Sequence, residues 1–175
     1  PEPTRLPTES DMRAAFGVGR TTLREALRLL ETQGLIVVRA GRGGGPSVRR
    51  PRAEDLGDAM SLLLQFENTP LAELLQARYA IEPTVVALAV PRIPEDDLVK
   101  LHGNVQLSRR LTDDEDHADF VRYCGQFHTL LAEASGNTVL RVVTETLHNI
   151  TDGAVASLDY TVARRKQIVQ QHDKI

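Results

Sequence analysis

Three groups of side chains in this 175-residue chain could do chemistry by their types and spacing. The first is basic: Arg20, Thr21, Thr22, Arg24 and Arg28 lie close together, and Arg39, Arg42, Arg49 and Arg50 flank a glycine-rich stretch. Guanidinium groups can grip a guanine edge or a phosphate, while threonine hydroxyls and first-turn amides suit phosphate oxygens. The second group is Cys124 and His128, four positions apart, so one face of a helix would present thiol and imidazole together. A cysteine joined by two or three histidines would make a borderline-soft set suited to zinc. The competing reading is a hydrogen-bonded core histidine beside a cysteine that acts as a small hydrophobe. The third is Arg78, set among Leu74, Leu75, Ile81 and Val85. It can clamp the carboxylate of an acidic effector in a planar fork, or pair internally with Glu82 four residues on. His117 and His148 read as surface or packing histidines.

The elements that must carry these groups are legible from caps and periodicity. Thr8 followed by Asp11 is a capping-box-like helix start, and Met12, Ala15 and Phe16 give that helix an apolar side. Gly17-Val18-Gly19 reads as a tight turn. The spacing of Leu23, Ala26, Leu27 and Leu30 predicts a helix over 20–33 with one buried face, closed by Gly34. Residues 35–39 and 46–49 read as strands around a turn at 40–45. Helix, turn, helix and hairpin in that order make a winged helix-turn-helix, which lays one helix in the DNA major groove and the wing over neighbouring phosphates. The glycines at 41 and 43–45 would let the wing backbone approach closely.

Charge divides the chain in two. Residues 1–52 hold ten Arg or Lys against five Asp or Glu, net +5, and residues 53–175 hold eleven against nineteen, net −8. A basic head favours phosphate contact and salt-sensitive binding, and an acidic body avoids it. The head is expected to be the DNA-binding domain (1–52) and the body (53–175) an antiparallel all-α bundle, giving a mainly α protein with a small β-wing. Apolar periodicity predicts helices near 53–67, 70–90, 94–111, 114–135, 137–152 and 156–175, punctuated by Pro70, Pro91, Pro94 and Gly136-Asn137. Helices of this length with short links form bundles that can enclose a small-molecule pocket. One cysteine excludes an intrachain disulfide framework, and no segment has the length and apolarity of a membrane span. A cytoplasmic protein is expected. Both ends read as cropped, since a winged-helix domain normally has a helix before Leu6 and the last helix stops without a cap.

The head resembles the N-terminal domain of the GntR family of bacterial transcription regulators. The resemblance rests on Leu6-Pro7-Thr8-Glu9-Ser10, on residues 17–27 (Gly17-Val18-Gly19-Arg20-Thr21-Thr22-Leu23-Arg24-Glu25-Ala26-Leu27), and on Leu30, Gly34-Leu35 and the glycine wing. It implies that Arg20, Thr21, Thr22, Arg24 and Gly41 match positions that touch operator DNA. With Thr8, Arg28, Arg39 and Arg42 they make the expected DNA-binding set. Ser10 and Gly19 depart from the residues usual at their positions, which puts two contacts in doubt.

The body resembles the FCD ligand-binding domain of the FadR-type branch. It does so through Leu71-Ala72-Glu73-Leu74-Leu75-Gln76-Ala77-Arg78 with Ile81-Glu82, and through Phe127-His128, Leu131 and Ala134-Ser135-Gly136-Asn137. The resemblance implies a divalent-metal site at Cys124, His128 and His172, with Cys124 standing where an aspartate is usual and a further histidine falling beyond Ile175. Such a substitution fits either a zinc site or a lost one. Arg78 falls near the effector pocket. The function implied is a homodimeric transcriptional regulator, most often a repressor, whose hold on double-stranded operator DNA responds to an effector such as lactate, gluconate, a dicarboxylate or an acyl-CoA. It requires no catalysis. The rival reading is a metal-dependent hydrolase built on Cys124, His128 and His172, although neither a His-Glu-x-x-His run nor a nucleophile-base pair accompanies them. A third is an RNA-binding or scaffolding winged helix.

Overall fold

Thr8 starts the first helix. Its hydroxyl accepts from the Asp11 amide at 3.2 Å and donates to the Asp11 carboxylate at 2.7 Å, so one orphan donor of the first turn is satisfied within α1 (Glu9–Phe16). Gly17, at φ 64°, ends α1 in the left-handed conformation that glycine adopts without strain. After Val18 and Gly19 the chain enters α2 (Arg20–Thr32). The computed structural model describes residues 4–41, 44–113, 117–155 and 160–175, and of His117 only the backbone.

The predicted apolar faces of these two helices are narrower than their sequences suggest. On α2 Leu23 is buried and Leu27 and Leu30 are half-buried, but Ala26 is exposed. On α1 only Met12 is buried, while Ala15 and Phe16 face solvent. A two-turn helix laid along one partner has only one flank to hide, and α1 packs on α2.

The wing is the antiparallel pair β1 (Ile36–Arg39) and β2 (Gly45–Val48), with Ile36 opposite Val48 and Arg39 opposite Gly45. At Gly44 a Cβ would sit 2.2 Å from the Arg39 carbonyl oxygen, so only glycine can close this turn. The segment ahead of α1 adds a third run that the sequence did not announce. Arg5 bridges to Ser47, the Leu6 amide donates to Pro46 O at 2.9 Å, and the Val48 amide donates to Thr4 O at 2.9 Å. Beyond the wing, Arg49 donates to Asp55 at 2.5 Å.

The chain forms two compact units, Pro1–Asp55 and Leu56–Ile175. The second contains most of α3 (Ala53–Phe66), then α4 (Leu71–Ala89), α5 (Glu95–Arg110), a 3-10 turn at Leu111–Asp113, α6 (His117–Ala134), α7 (Thr138–Val155) and α8 (Val162–His172). Pro70 and Pro94 stand at the caps of α4 and α5. Asn137 starts α7 by accepting from the Val139 and Leu140 amides at 3.0 and 3.1 Å. These are the punctuation marks expected from the sequence. The predicted starts at 114 and 156 lie outside the described residues, but the last helix does not fill the expected 156–175: Tyr160 and Thr161 precede it, and the Thr161 hydroxyl caps it by accepting from the Arg164 amide.

α6 is the central helix, packed against α4, α5 and α7. Its Phe120, Phe127 and Leu131 meet Val85 and Ala89 of α4, Leu101 and Val105 of α5, and Val169 of α8 in one apolar core. Burying such a set supplies the main drive for assembling the bundle. Asn104 of α5 adds a polar tie, donating to the Tyr123 carbonyl at 3.1 Å and to Gln126 at 3.3 Å. Among the described residues no helix is long and apolar enough to cross a membrane.

Candidate functional site

In the head, the residues singled out from the sequence share an open surface. Thr21, Thr22, Arg24, Arg28 and Arg39 are exposed, and Gly41 is exposed with φ 99°. The Arg20 and Arg24 side chains are 65% and 61% accessible, although both lean on one carboxylate. Glu9 accepts from Arg20 Nε at 3.0 Å through Oε1 and lies 3.9 Å from Arg24 Nε through Oε2. Exposed pairs of this kind are weak and exchange partners readily. The Thr8 hydroxyl is spent on capping α1. Arg42 lies outside the described residues.

In the body, three helices converge their polar side chains on one point. Arg78 and Glu82, one turn apart on α4, are paired with Nε 2.9 Å from Oε1. His128 of α6 places Nδ1 3.4 Å from the second Glu82 oxygen, and His148 of α7 places Nε2 3.3 Å from the first. One donor atom from each of Glu82, His128 and His148 lies within 4.8 Å of the others, as a shared cation would require. The His128 ring stacks on His148 with centroids 4.5 Å apart and meets His172 edge-on at 5.0 Å. His172, from α8, is itself stacked on Phe127 at 4.1 Å.

The electrostatics suit a cation. Burial alone would raise the Glu82 pKa, but the close approach of His148 and the charges of His128 and Arg78 outweigh it and hold the carboxyl at about 2. Burial drives His128 well below 6.5 and His172 to about 4. Neutral imidazoles beside an ionised carboxylate are what a divalent ion binds. Both ring nitrogens of His148 and Nδ1 of His172 are buried with no hydrogen-bond partner, despite the short His148–Glu82 approach. A buried polar atom left unpaired is costly, and an ion at this point would supply the partner for His148. The residues therefore fit a metal.

The converging set differs from the one drawn from the sequence. His128 belongs to it, Cys124 and His172 do not, and Glu82 and His148 enter. Cys124 is turned toward Ser108 and Asp152, and burial, reinforced by Asp152, pushes its thiol up to about 12. Its sulfur is not among the donor atoms that converge. His172 lines the same cavity with its ring edge-on to His128, but no donor atom of it joins the converging set. His148, read from the sequence as a surface or packing residue, is 3% exposed. The signal for it was present: Thr144, His148, Thr151 and Val155 fall on one face of α7, and all four are buried. Both readings of Arg78 meet here, since it pairs with Glu82 and also lines a cavity of about 310 Å³ with Glu82, Cys124, His128, His148 and Asp152.

Comparison with known proteins gives this arrangement its context. Residues 73–175 match the FCD domain, and residues 2–44 match the description "Bacterial regulatory proteins, gntR family". The chain belongs to the gntR family. It does so as a member that carries an FCD domain, as its residues led us to expect. It is similar to the HTH-type transcriptional repressor NanR of Klebsiella aerogenes, with 30% identity over 170 residues covering 95% of this chain and 60% of that protein. It is also similar to NanR of Escherichia coli strain K12, with 28% identity over 173 residues covering 97% and 60%. The chain thus spans about three-fifths of the length of these curated relatives. A solved structure, Streptococcus agalactiae GntR, shares the fold with a TM-score of 0.66 at 23% identity, covering 99% of this chain and 82% of that one. These relatives are regulators and not enzymes, which leaves the hydrolase reading without support.

Proposed function

We propose that the chain is a transcriptional regulator that binds operator DNA as a homodimer and releases it, or tightens on it, in response to a small organic acid. The observation that carries the reading is the exposed arginine-led start of α2 beside a wing closed by Gly44, on a domain of the gntR family. In a helix-turn-helix the start of the second helix meets base edges while the wing and flanking cations take phosphates. Arg20, Thr21, Thr22, Arg24, Arg28, Arg39, Gly41 and Arg42 are the assigned contacts, and Thr8 supports them by fixing α1. Two heads on one dimer would read two half-sites. Repression is the sense favoured by the named relatives.

The body supplies the control. Glu82, His128 and His148 would hold a divalent ion, zinc by the two-imidazole, one-carboxylate donor set, with Cys124 and His172 lining the chamber around it. When bound, the ion would offer an open position to a carboxylate. The chain's own residues then do the rest: Arg78 keeps Glu82 ionised and oriented, and α4, α6, α7 and α8 enclose the ligand. An effector that prefers one arrangement of the body changes operator affinity, and operator changes effector affinity by the same factor. A chamber of this size suits small acids better than an acyl-CoA.

Selection of bound duplexes from a random pool, followed by mobility shifts with Arg24→Ala, tests the reading. The expected outcome is a palindromic consensus whose binding weakens about tenfold or more in the variant. Equal binding of all duplexes, or preference for RNA at equal salt, contradicts it.

A further inference from the structure

We propose that Asp152 selects the effector, by accepting a hydrogen bond from an ammonium or hydroxyl group on an organic acid whose carboxylate is held at the Glu82, His128 and His148 cluster. This rests on the cavity being the effector pocket. Asp152 follows His148 by one helical turn on α7 and lines the same chamber. Its carboxylate is half-buried, and no described residue hydrogen-bonds to it. The two groups whose charge acts on it, His148 and Arg78, are both already set against Glu82.

The opposite wall is shaped to leave this carboxylate room. Gly125 of α6 faces it so closely that a Cβ there would sit 2.8 Å from Asp152 Oδ2 and 3.6 Å from its Cγ. A larger residue there would force the carboxylate to shift. Burial raises the Asp152 pKa, the mark of an anion short of partners. A half-buried acceptor without a donor favours whatever ligand brings one and rejects the analogue that lacks it. The chamber then has two unlike ends, one for a carboxylate and one for a hydrogen-bond donor.

The test is calorimetric titration of the zinc-supplied full chain with two matched series: propionate, lactate and alanine, then hexanoate, gluconate and 6-aminohexanoate. Donor-bearing acids of at least one length should bind about tenfold tighter than the donor-free member. The hydroxy and amino arms distinguish the two donors. Asp152→Asn should bring the amino acid within about twofold of the donor-free acid, which keeps its affinity, and Gly125→Ala should do the same by displacing the carboxylate. Circular dichroism of both variants checks that they fold, and either one suffices. A wild type that binds acids without preference, or a preference that survives substitution, overturns the proposal and leaves the pocket standing. Failure of every acid to bind removes the pocket reading as well.

Discussion

Glu82 is the residue on which the body's site turns, because Arg78, His128 and His148 all approach its two oxygens. Glu82→Gln keeps the shape and removes the charge, so zinc affinity measured by competition with a chromophoric chelator should fall more than about tenfold. Cys124→Ser should leave it within about twofold, since the sulfur lies outside the converging donor set. A large loss from the serine variant would restore the cysteine to the ligand set. The sequence made His128 visible but not Glu82 and His148 beside it, for a physical reason. Spacing along one helix puts Cys124 and His128 on a common face, but the site is assembled from three helices. Which residues of α4 and α7 meet α6 depends on how those helices pack, which periodicity does not state. Glu82 was visible only as half of an ion pair. In the head, Glu9 is a comparable pivot, its carboxylate lying against Arg20 and Arg24, the two arginines proposed to meet DNA. Glu9→Gln should therefore strengthen binding to non-operator duplex in anisotropy titrations.

At the scale of elements the reading was more complete. The bundle helices up to α7 fall close to their predicted bounds because proline and asparagine set their starts and apolar spacing marks their extent. By contrast, α8 is shorter than the expected 156–175 and begins only at Val162, behind the Thr161 cap. The small faces of α1 and α2 were overread, as Ala15, Phe16 and Ala26 show. Hydrophobic spacing reports which side could be buried, and only packing decides how wide a strip is covered. The caps can be tested directly. Thr8→Ala removes the α1 cap and should cost about 1 kcal/mol in chemical unfolding followed at the head. A change within a few tenths would show that α1 is held by α2 alone.

The whole molecule responds to acid through its buried histidines. Burial lowers His172 from 6.5 to about 4 and His128 well below 6.5, so between these values the unfolded chain binds more protons than the folded one. The stability they leave intact is complete above pH 6.5 and is lost as pH falls toward 4. Glu82, held at about 2 against its ordinary 4.5, extends the loss below that, while Asp152, raised by burial, opposes it. The melting temperature of the body by calorimetry should drop steadily from pH 6.5 to 4, and zinc should raise it at pH 7 but not at pH 4. A flat profile would place these imidazoles in water.

The run at residues 4–6 carries a different lesson, because Leu6 and Val48 exchange backbone hydrogen bonds with opposite ends of the sequence of the head. Peptide ahead of α1 and hairpin behind α2 are stitched into one ladder, closing the small domain upon itself. Clipping the leading residues would therefore be felt at the open end of the hairpin that follows α2: deuterium uptake at the Val48 amide would quicken, and the hairpin would fray although no residue of its own had changed.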